Sequence, residues 1–367
     1  MNIDSIIEGT NPGHVDPGSI PFSDAPRVAA DSPILLVPYM WIGDFVRCHS
    51  VVKLLRTRWP NRPVDLLSSA LCAPLLDFMP GVRKGIVSDL PRRRLPLGQY
   101  RALADTLRAE RYGTALIMLR TWKSALAPFL AGIPERVGFA GEARFGLLSD
   151  IRFGERKLER MIDRMGALAL PRGAALPVQW PLPELVVPKA DSDAWLAFRG
   201  LNKTDRPIVT LAPGAVGPGK AWPPEHYADL TRQLTSGGAD VWVLGGPNEK
   251  TIAAEIVKAG GPNAKDLTGN DLRDAIIAMT IADAAVTNDS GLMHIAAALN
   301  TPTIAIFGPT SPRLWSPLNP LAAVLEPEGE PVAEANIKQR RTAGVDVQRV
   351  LEEVRRTLAE RPMPPNK

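Results

Sequence analysis

The chain has 367 residues, 45% of them hydrophobic and 22% charged, with 43 lysines and arginines against 39 aspartates and glutamates. That length exceeds one ordinary core and suits two domains of about 150 residues each, and the balance excludes disordered and fibrous classes. Two cysteines, Cys48 and Cys72, exclude a disulfide scaffold or a cysteine-rich zinc site, and no apolar run approaches the roughly 18 residues that a membrane span requires.

The first thirty residues carry Asp4, Glu8, Asp16 and Asp24 against Arg27 alone. Lacking a basic start and an apolar block, they read as a disordered leader (1–32) rather than a Sec signal peptide, and the chain as cytoplasmic. Short apolar runs then alternate with amphipathic stretches, the α/β signature. Ile34–Pro38 predicts a buried strand, Tyr39–Gly43 a loop, and Asp44 to Trp59 a helix. Val64–Leu67, Ala115–Leu119 and Arg136–Phe139 predict further strands, Leu97–Glu110 and Ser124–Ala131 helices. Continuous apolar runs of this kind suit parallel strands covered on both faces. Pro171, Pro177, Pro181, Pro183 and Pro188 mark an interdomain linker over about 171–188, since neither a helix nor a central strand tolerates them.

Beyond the linker the cycle restarts. Strands are expected at Ile208–Ala212, Val241–Gly245, Ala284–Thr287 and Thr303–Phe307. Helices are expected at Glu225–Thr235, Glu249–Ala259, Asp271–Thr280, Ser290–Leu299 and Asp346–Glu360. Two Rossmann-like halves facing a cleft are the simplest architecture: an N-terminal domain over 33–186, a C-terminal domain over 187–345, and a last helix and tail over 346–367. Residues 31–180 carry 23 basic against 13 acidic side chains, a net +10, while 181–367 carry 19 against 22, a net −3. Either the first half meets something anionic or its arginines are simply solvated. No aromatic-interleaved basic motif supports nucleic-acid binding.

Open α/β sheets bind ligands beyond the carboxyl ends of their strands, and four such junctions hold unusual residues. Trp41-Ile42-Gly43-Asp44 follows the first strand; Asp44 is either a plain helix-start charge or a general base. Pro213–Ala221, with Gly214, Gly219 and Lys220, nearly matches a P-loop, but Ala221 offers no hydroxyl to magnesium and Trp222-Pro223-Pro224 bars a helix starting at the lysine. The loop is either a diphosphate cradle with one point charge or an ordinary turn. Glu249, after Gly245-Gly246-Pro247-Asn248, either accepts two ribose hydroxyls or caps the next helix. Thr287-Asn288-Asp289-Ser290-Gly291-Leu292-Met293-His294 can cap a helix and expose its N–H groups to an anion; His294 is a packing residue or a ligand. Asp191-Ser192-Asp193 resembles a D-x-D metal clip, yet it follows the linker and reads as a helix cap; His14, His49 and His226 are too scattered for a metal site. Arg92-Arg93-Arg94 reads as an exposed loop that can touch anionic headgroups.

The segment from Val286 to Asn300, with Pro302 and Phe307-Gly-Pro-Thr-Ser-Pro312, resembles the most characteristic stretch of glycosyltransferase family 9, the ADP-heptose:lipopolysaccharide heptosyltransferases. Leu211–Ala215 with Gly219-Lys220-Ala-Trp-Pro and His226-Tyr227 is similar to that family's donor phosphate loop, and Arg120–Gly138 with Gly141–Leu148 looks like its heptosyltransferase II branch. The resemblance implies a GT-B fold, a lipid-linked anionic inner-core acceptor on the first domain and ADP-L-glycero-D-manno-heptose on the second. It also implies inverting transfer without metal or cofactor, at the cytoplasmic face of the inner membrane with peripheral contact. By motif, Asp44 takes the place of the catalytic base and Lys220 that of the diphosphate lysine. Gly214, Gly219, Glu249, Asn288, Asp289, Ser290, Gly291 and His294 fall at the donor, and Gly43, Arg120, Lys123, Arg136 and Arg144 at the acceptor. Pro331–Val345 departs from the second-type pattern in having no cysteine. The rival readings are a related GT-B transferase using another sugar nucleotide, a non-catalytic nucleotide-sugar binding module, and a P-loop NTPase.

Overall fold

The computed structural model describes residues 28–91, 94–269, 271–328 and 334–360. The expected leader up to residue 27, Arg92 and Arg93 of the basic loop, and part of Pro331–Val345 lie outside the described residues. The chain divides between Pro183 and Glu184 into two compact units. No helix or strand occurs over 168–188.

The first unit runs β1 (Ile34–Val37), α1 (Ile42–Arg58), β2 (Val64–Ser68), β3 (Val82–Val87), α2 (Leu97–Ala109), β4 (Thr114–Ile117), α3 (Trp122–Leu130), β5 (Glu135–Phe139), β6 (Asp150–Arg152) and α4 (Met161–Ala167). Its six strands lie in the order β3-β2-β1-β4-β5-β6, every pairing parallel. Central β1 pairs Ile34 with Val64 on one side and Thr114 on the other. Leu35 and Val37 join a core with Tyr100, Leu103 and Leu107 of α2; the pleat sends Ile34 and Leu36, equally buried, to the other face. Burial on both faces is why β1 reads as an uninterrupted apolar run.

The second unit runs α5 (Lys189–Arg199), β7 (Ile208–Ala212), α6 (Pro224–Ser236), β8 (Asp240–Val243), α7 (Lys250–Gly260), β9 (Ala264–Asp266), α8 (Leu272–Ile281), β10 (Ala284–Asn288), α9 (Gly291–Ala298), β11 (Thr303–Ile306), β12 (Ala322–Leu325) and α10 (Val347–Ala359). The order β12-β11-β10-β7-β8-β9 is again all parallel. Counted within its own unit, each sheet reads 3-2-1-4-5-6, the dinucleotide-fold winding. Helix α10 starts where Asp346 accepts the Gln348 N–H at 2.7 Å, a side-chain cap. It buries Val350, Leu351 and Val354 against the core that holds Tyr227 and Leu230 of α6, worth about 1.5–3 kcal/mol for each side chain fully buried. Helix α9 is apolar nearly all round and buried from Met293 to Ala298.

Every expected helix and strand is present, with ends displaced by at most two residues. The sequence reading lacks β3, β6, β9 and β12, which are the four outer edges of the two sheets. Edge strands face solvent along one side and need no apolar run: β3 exposes Arg83 and Lys84, and β9 exposes Lys265 and Asp266. It also lacks α4 and the single-turn helices Ala73–Leu76 and Pro312–Trp315. Among the described residues no helix is long and apolar enough to cross a membrane.

Candidate functional site

In the second sheet β7 and β10 are neighbours, and the winding reverses between them, where such sheets open a crevice beyond the strand ends. Asn288, the last residue of β10, is fully buried. Its Nδ2 donates to Pro213 O at 2.7 Å and its Oδ1 accepts from the Trp222 N–H at 3.0 Å. Each polar end of the amide thus makes a bond to the glycine-rich loop, so Asn288 shapes that loop. Lys220 Nζ stands 2.6 Å from Asp289 Oδ2, and the same oxygen accepts from Thr310 Oγ1 at 2.7 Å. With both bonds on Oδ2, the second carboxylate oxygen is left to accept from a sugar hydroxyl. Ser290 caps α9 with extended backbone, φ −146° and ψ 176°, and makes no side-chain capping bond. Its Oγ is buried with no hydrogen-bond partner among the described residues. The first N–H groups of α9, beginning at Gly291, have no partner within the helix, and the dipole adds about half a positive charge there. An anion at this end satisfies both the hydroxyl and the amides. His294 is buried one turn into α9.

Helix α6 starts only at Pro224 behind Pro223, so Lys220 does not open a helix and the loop is not a P-loop. Glu249 lies in the turn Pro247–Glu249, and one of its carboxylate oxygens accepts the Gly246 N–H at 2.8 Å. It packs so closely across Gly214 that a Cβ there would stand 3.0 Å from the carboxyl carbon. Glu249 therefore caps its turn and reaches the first strand's loop at once.

In the first unit, Gly43 and Asp44 lie in the first turn of α1. Asp44 is 8% exposed, and Arg47 Nη1 stands 3.2 Å from its Oδ1. Tyr39 Oη donates to Glu155 Oε1 at 3.4 Å, and Arg120 Nε lies 2.8 Å from Glu155 Oε2. Burial, then the neighbouring charge of Glu155, push the Tyr39 phenol up to about 12, against an opposing pull from Arg164 and with a smaller push from Asp44. It is a neutral donor at any physiological pH. Lys123 Nζ donates to Arg94 O at 3.2 Å.

Residues 100–342 match the family model of glycosyltransferase family 9 (heptosyltransferase). The chain belongs to glycosyltransferase family 9. It is a glycosyltransferase, 38% identical over 306 residues to lipopolysaccharide heptosyltransferase 2 of Escherichia coli, spanning 80% of this chain and 87% of that one. It is 36% identical over 305 residues to lipooligosaccharide heptosyltransferase 2 of Haemophilus influenzae, spanning 80% and 88%. The solved structure of E. coli ADP-heptose lps heptosyltransferase II superposes at a TM-score of 0.78 and 35% identity over 89% of this chain and 99% of that one. The fold is GT-B.

Two arginines expected at the acceptor of this family 9 transferase are engaged within the fold. Arg144 is 2% exposed, and its guanidinium donates to Leu119 O and Phe139 O, joining the ends of β4 and β5. Burial pulls it down to about 10, still cationic at neutral pH. Arg136 donates to Leu147 O at 2.6 Å and to Ile133 O, and burial lowers it as well. Arg120 is exposed and pairs with Glu155 through its Nε. The sequence reading also lacks Tyr39, Glu155 and Thr342. Thr342 Oγ1 donates to Ala221 O at 2.7 Å and to Gly219 O at 3.2 Å, and its N–H donates to Gly219 O at 3.2 Å. A Cβ on Gly308 would lie 2.7 Å from that N–H nitrogen, so the Phe307-Gly308 signal has a packing cause. Thr310 sat within the recognised motif without a role.

Proposed function

We propose that this glycosyltransferase moves L-glycero-D-manno-heptose from ADP-heptose to the inner core of lipopolysaccharide, with inversion and without metal, at the cytoplasmic face of the inner membrane in peripheral contact with it. The observation that carries the reading is the junction of Lys220, Asp289 and the unpartnered Ser290 Oγ at the start of α9, an arrangement suited to a sugar joined to a diphosphate. Supporting it are the heptosyltransferase relatives. Asp44, oriented by Arg47, removes the proton from an acceptor hydroxyl as its oxygen attacks the anomeric carbon. The bond from that carbon to the diphosphate oxygen breaks on the opposite face, and ADP departs with the negative charge. Lys220 and the α9 amides take up that charge, preorganised donors being worth about 3 kcal/mol each. The D-x-D pair favours no metal route: Asp191 and Asp193 sit in α5, where Asp193 pairs with Lys189 at 2.6 Å.

The test is incubation with ADP-heptose and a truncated inner-core acceptor, reading product mass, anomeric configuration by NMR, and turnover with a chelator present. One added heptose, inverted and formed at an undiminished rate, is expected. A different mass increment would reassign the donor; retention or chelator sensitivity would overturn the mechanism.

A further inference from the structure

The nucleotide end of the second unit has an electrostatic shortfall. Lys220 and Asp289 are in contact at 2.6 Å and cancel one another, while the diphosphate that the proposed donor brings is multiply anionic. The dipole of α9 contributes only about half a charge. A second cation is needed beside the loop, and the segment that follows the turn Glu334–Gln339 provides one.

Arg340 pairs with Glu326, and Arg349 with Glu328 at 3.1 Å. Arg341, between them, is exposed. Its Nη1 donates to two backbone carbonyls, Lys338 O at 2.9 Å and Arg340 O at 2.8 Å. Among the described residues no carboxylate pairs with it. Its stem lies on the glycine-rich loop: a Cβ built on Gly219 would stand 2.3 Å from Arg341 Cδ and 2.9 Å from Nε. Gly219 has φ +73°, a left-handed conformation that glycine adopts without penalty. Glycine is thus favoured there by the backbone, and it lets the arginine lie directly on the loop. The next residue, Thr342, fastens the same loop through Gly219 O and Ala221 O, so the arginine is held one residue from Lys220 by a fixed anchor.

We infer that Arg341 is a second cationic ligand of the donor's diphosphate, acting with Lys220; this rests on the donor site proposed above. A guanidinium offers planar, paired donors to phosphate oxygens, where the lysine offers a point charge. Arg341 then adds positive charge beside Lys220, part of whose charge Asp289 offsets.

Calorimetric titration of the full chain with ADP and, separately, adenosine tests this in wild type, Arg341→Ala, Arg341→Lys and Lys220→Ala. Arg341→Ala should raise the Kd for ADP by about tenfold to a hundredfold, the scale of a charge-assisted hydrogen bond, with adenosine affinity unchanged. Arg341→Lys should recover part of the loss, and added salt should narrow the gap between wild type and Arg341→Ala. Unchanged ADP affinity in Arg341→Ala, or an equal loss for adenosine, overturns the assignment. If Lys220→Ala weakens ADP and Arg341→Ala does not, Arg341 alone falls; a wild type that binds no ADP removes the donor site as well.

Discussion

The two units share one winding, 3-2-1-4-5-6, and differ in what they carry at the carboxyl ends of the strands. In the first, the loops after β1, β5 and β6 present exposed Trp41, Phe145 and Phe153, with Asp44 and Arg47 buried as a pair beneath. In the second, the corresponding loops are glycine-rich and tightly bonded, with Lys220 against Asp289 and Glu249 across Gly214. The same scaffold thus holds exposed aromatics in one copy and a close-fitting cradle in the other. Chemistry resides in the loops, and the winding only decides where the loops gather.

That division of labour can be broken by substitution. Asp44→Ala should lower transfer by about 10²–10⁴-fold, the usual value of positioned general-base help, with ADP affinity nearly intact. Lys220→Ala should do the reverse, weakening ADP by about tenfold to a hundredfold. Steady-state kinetics paired with calorimetry separate the two, and near-normal turnover in Asp44→Ala would dissolve the contrast. Arg144→Ala should cost about 2–5 kcal/mol of stability, because two buried carbonyls lose a charged donor, whereas replacing the exposed Lys189 by Ala should leave stability within about 0.5 kcal/mol. Denaturant unfolding reads both; equal effects would return Arg144 to the acceptor face. The smallest effect concerns the four tyrosines. Burial is the main cause pushing Tyr39 up to about 12 and raising Tyr100, Tyr112 and Tyr227 too. Their folded values lie above the unfolded value of about 10, so this contribution to stability is complete below about pH 10 and is lost as pH rises through the folded values. Phenolate absorbance should rise at higher pH in the folded protein than in denaturant; coincident titration curves contradict the burial.

The central strands and long helices were legible because burial on both faces leaves an unbroken apolar run, as in Ile34–Val37 and Ile208–Ala212. The edges β3, β6 and β9 were not, since a strand bonded on one side takes polar residues such as Arg83 and Lys265, while β12 is apolar but only four residues long. In each unit the candidate junction residues, Asp44 in the first and Lys220, Glu249 and Asp289 in the second, were legible from their places after strands. Arg144 and Asn288 were legible only as polar residues near loops; that they would meet Leu119 O, 25 positions away, and Pro213 O, 75 positions away, depends on packing. Thr342 had no signal at all, being 121 residues from the carbonyl it holds.

Trp222 closes the glycine-rich loop by donating its indole N–H to Val345 O at 2.9 Å, 123 residues away. During synthesis, which proceeds from the amino end, the loop emerges long before the segment that staples it. A growing polypeptide therefore lacks this closure of the glycine-rich loop until Val345 has left the ribosome, and a ribosome stalled short of that point would display the first unit folded and the loop of the second unstapled.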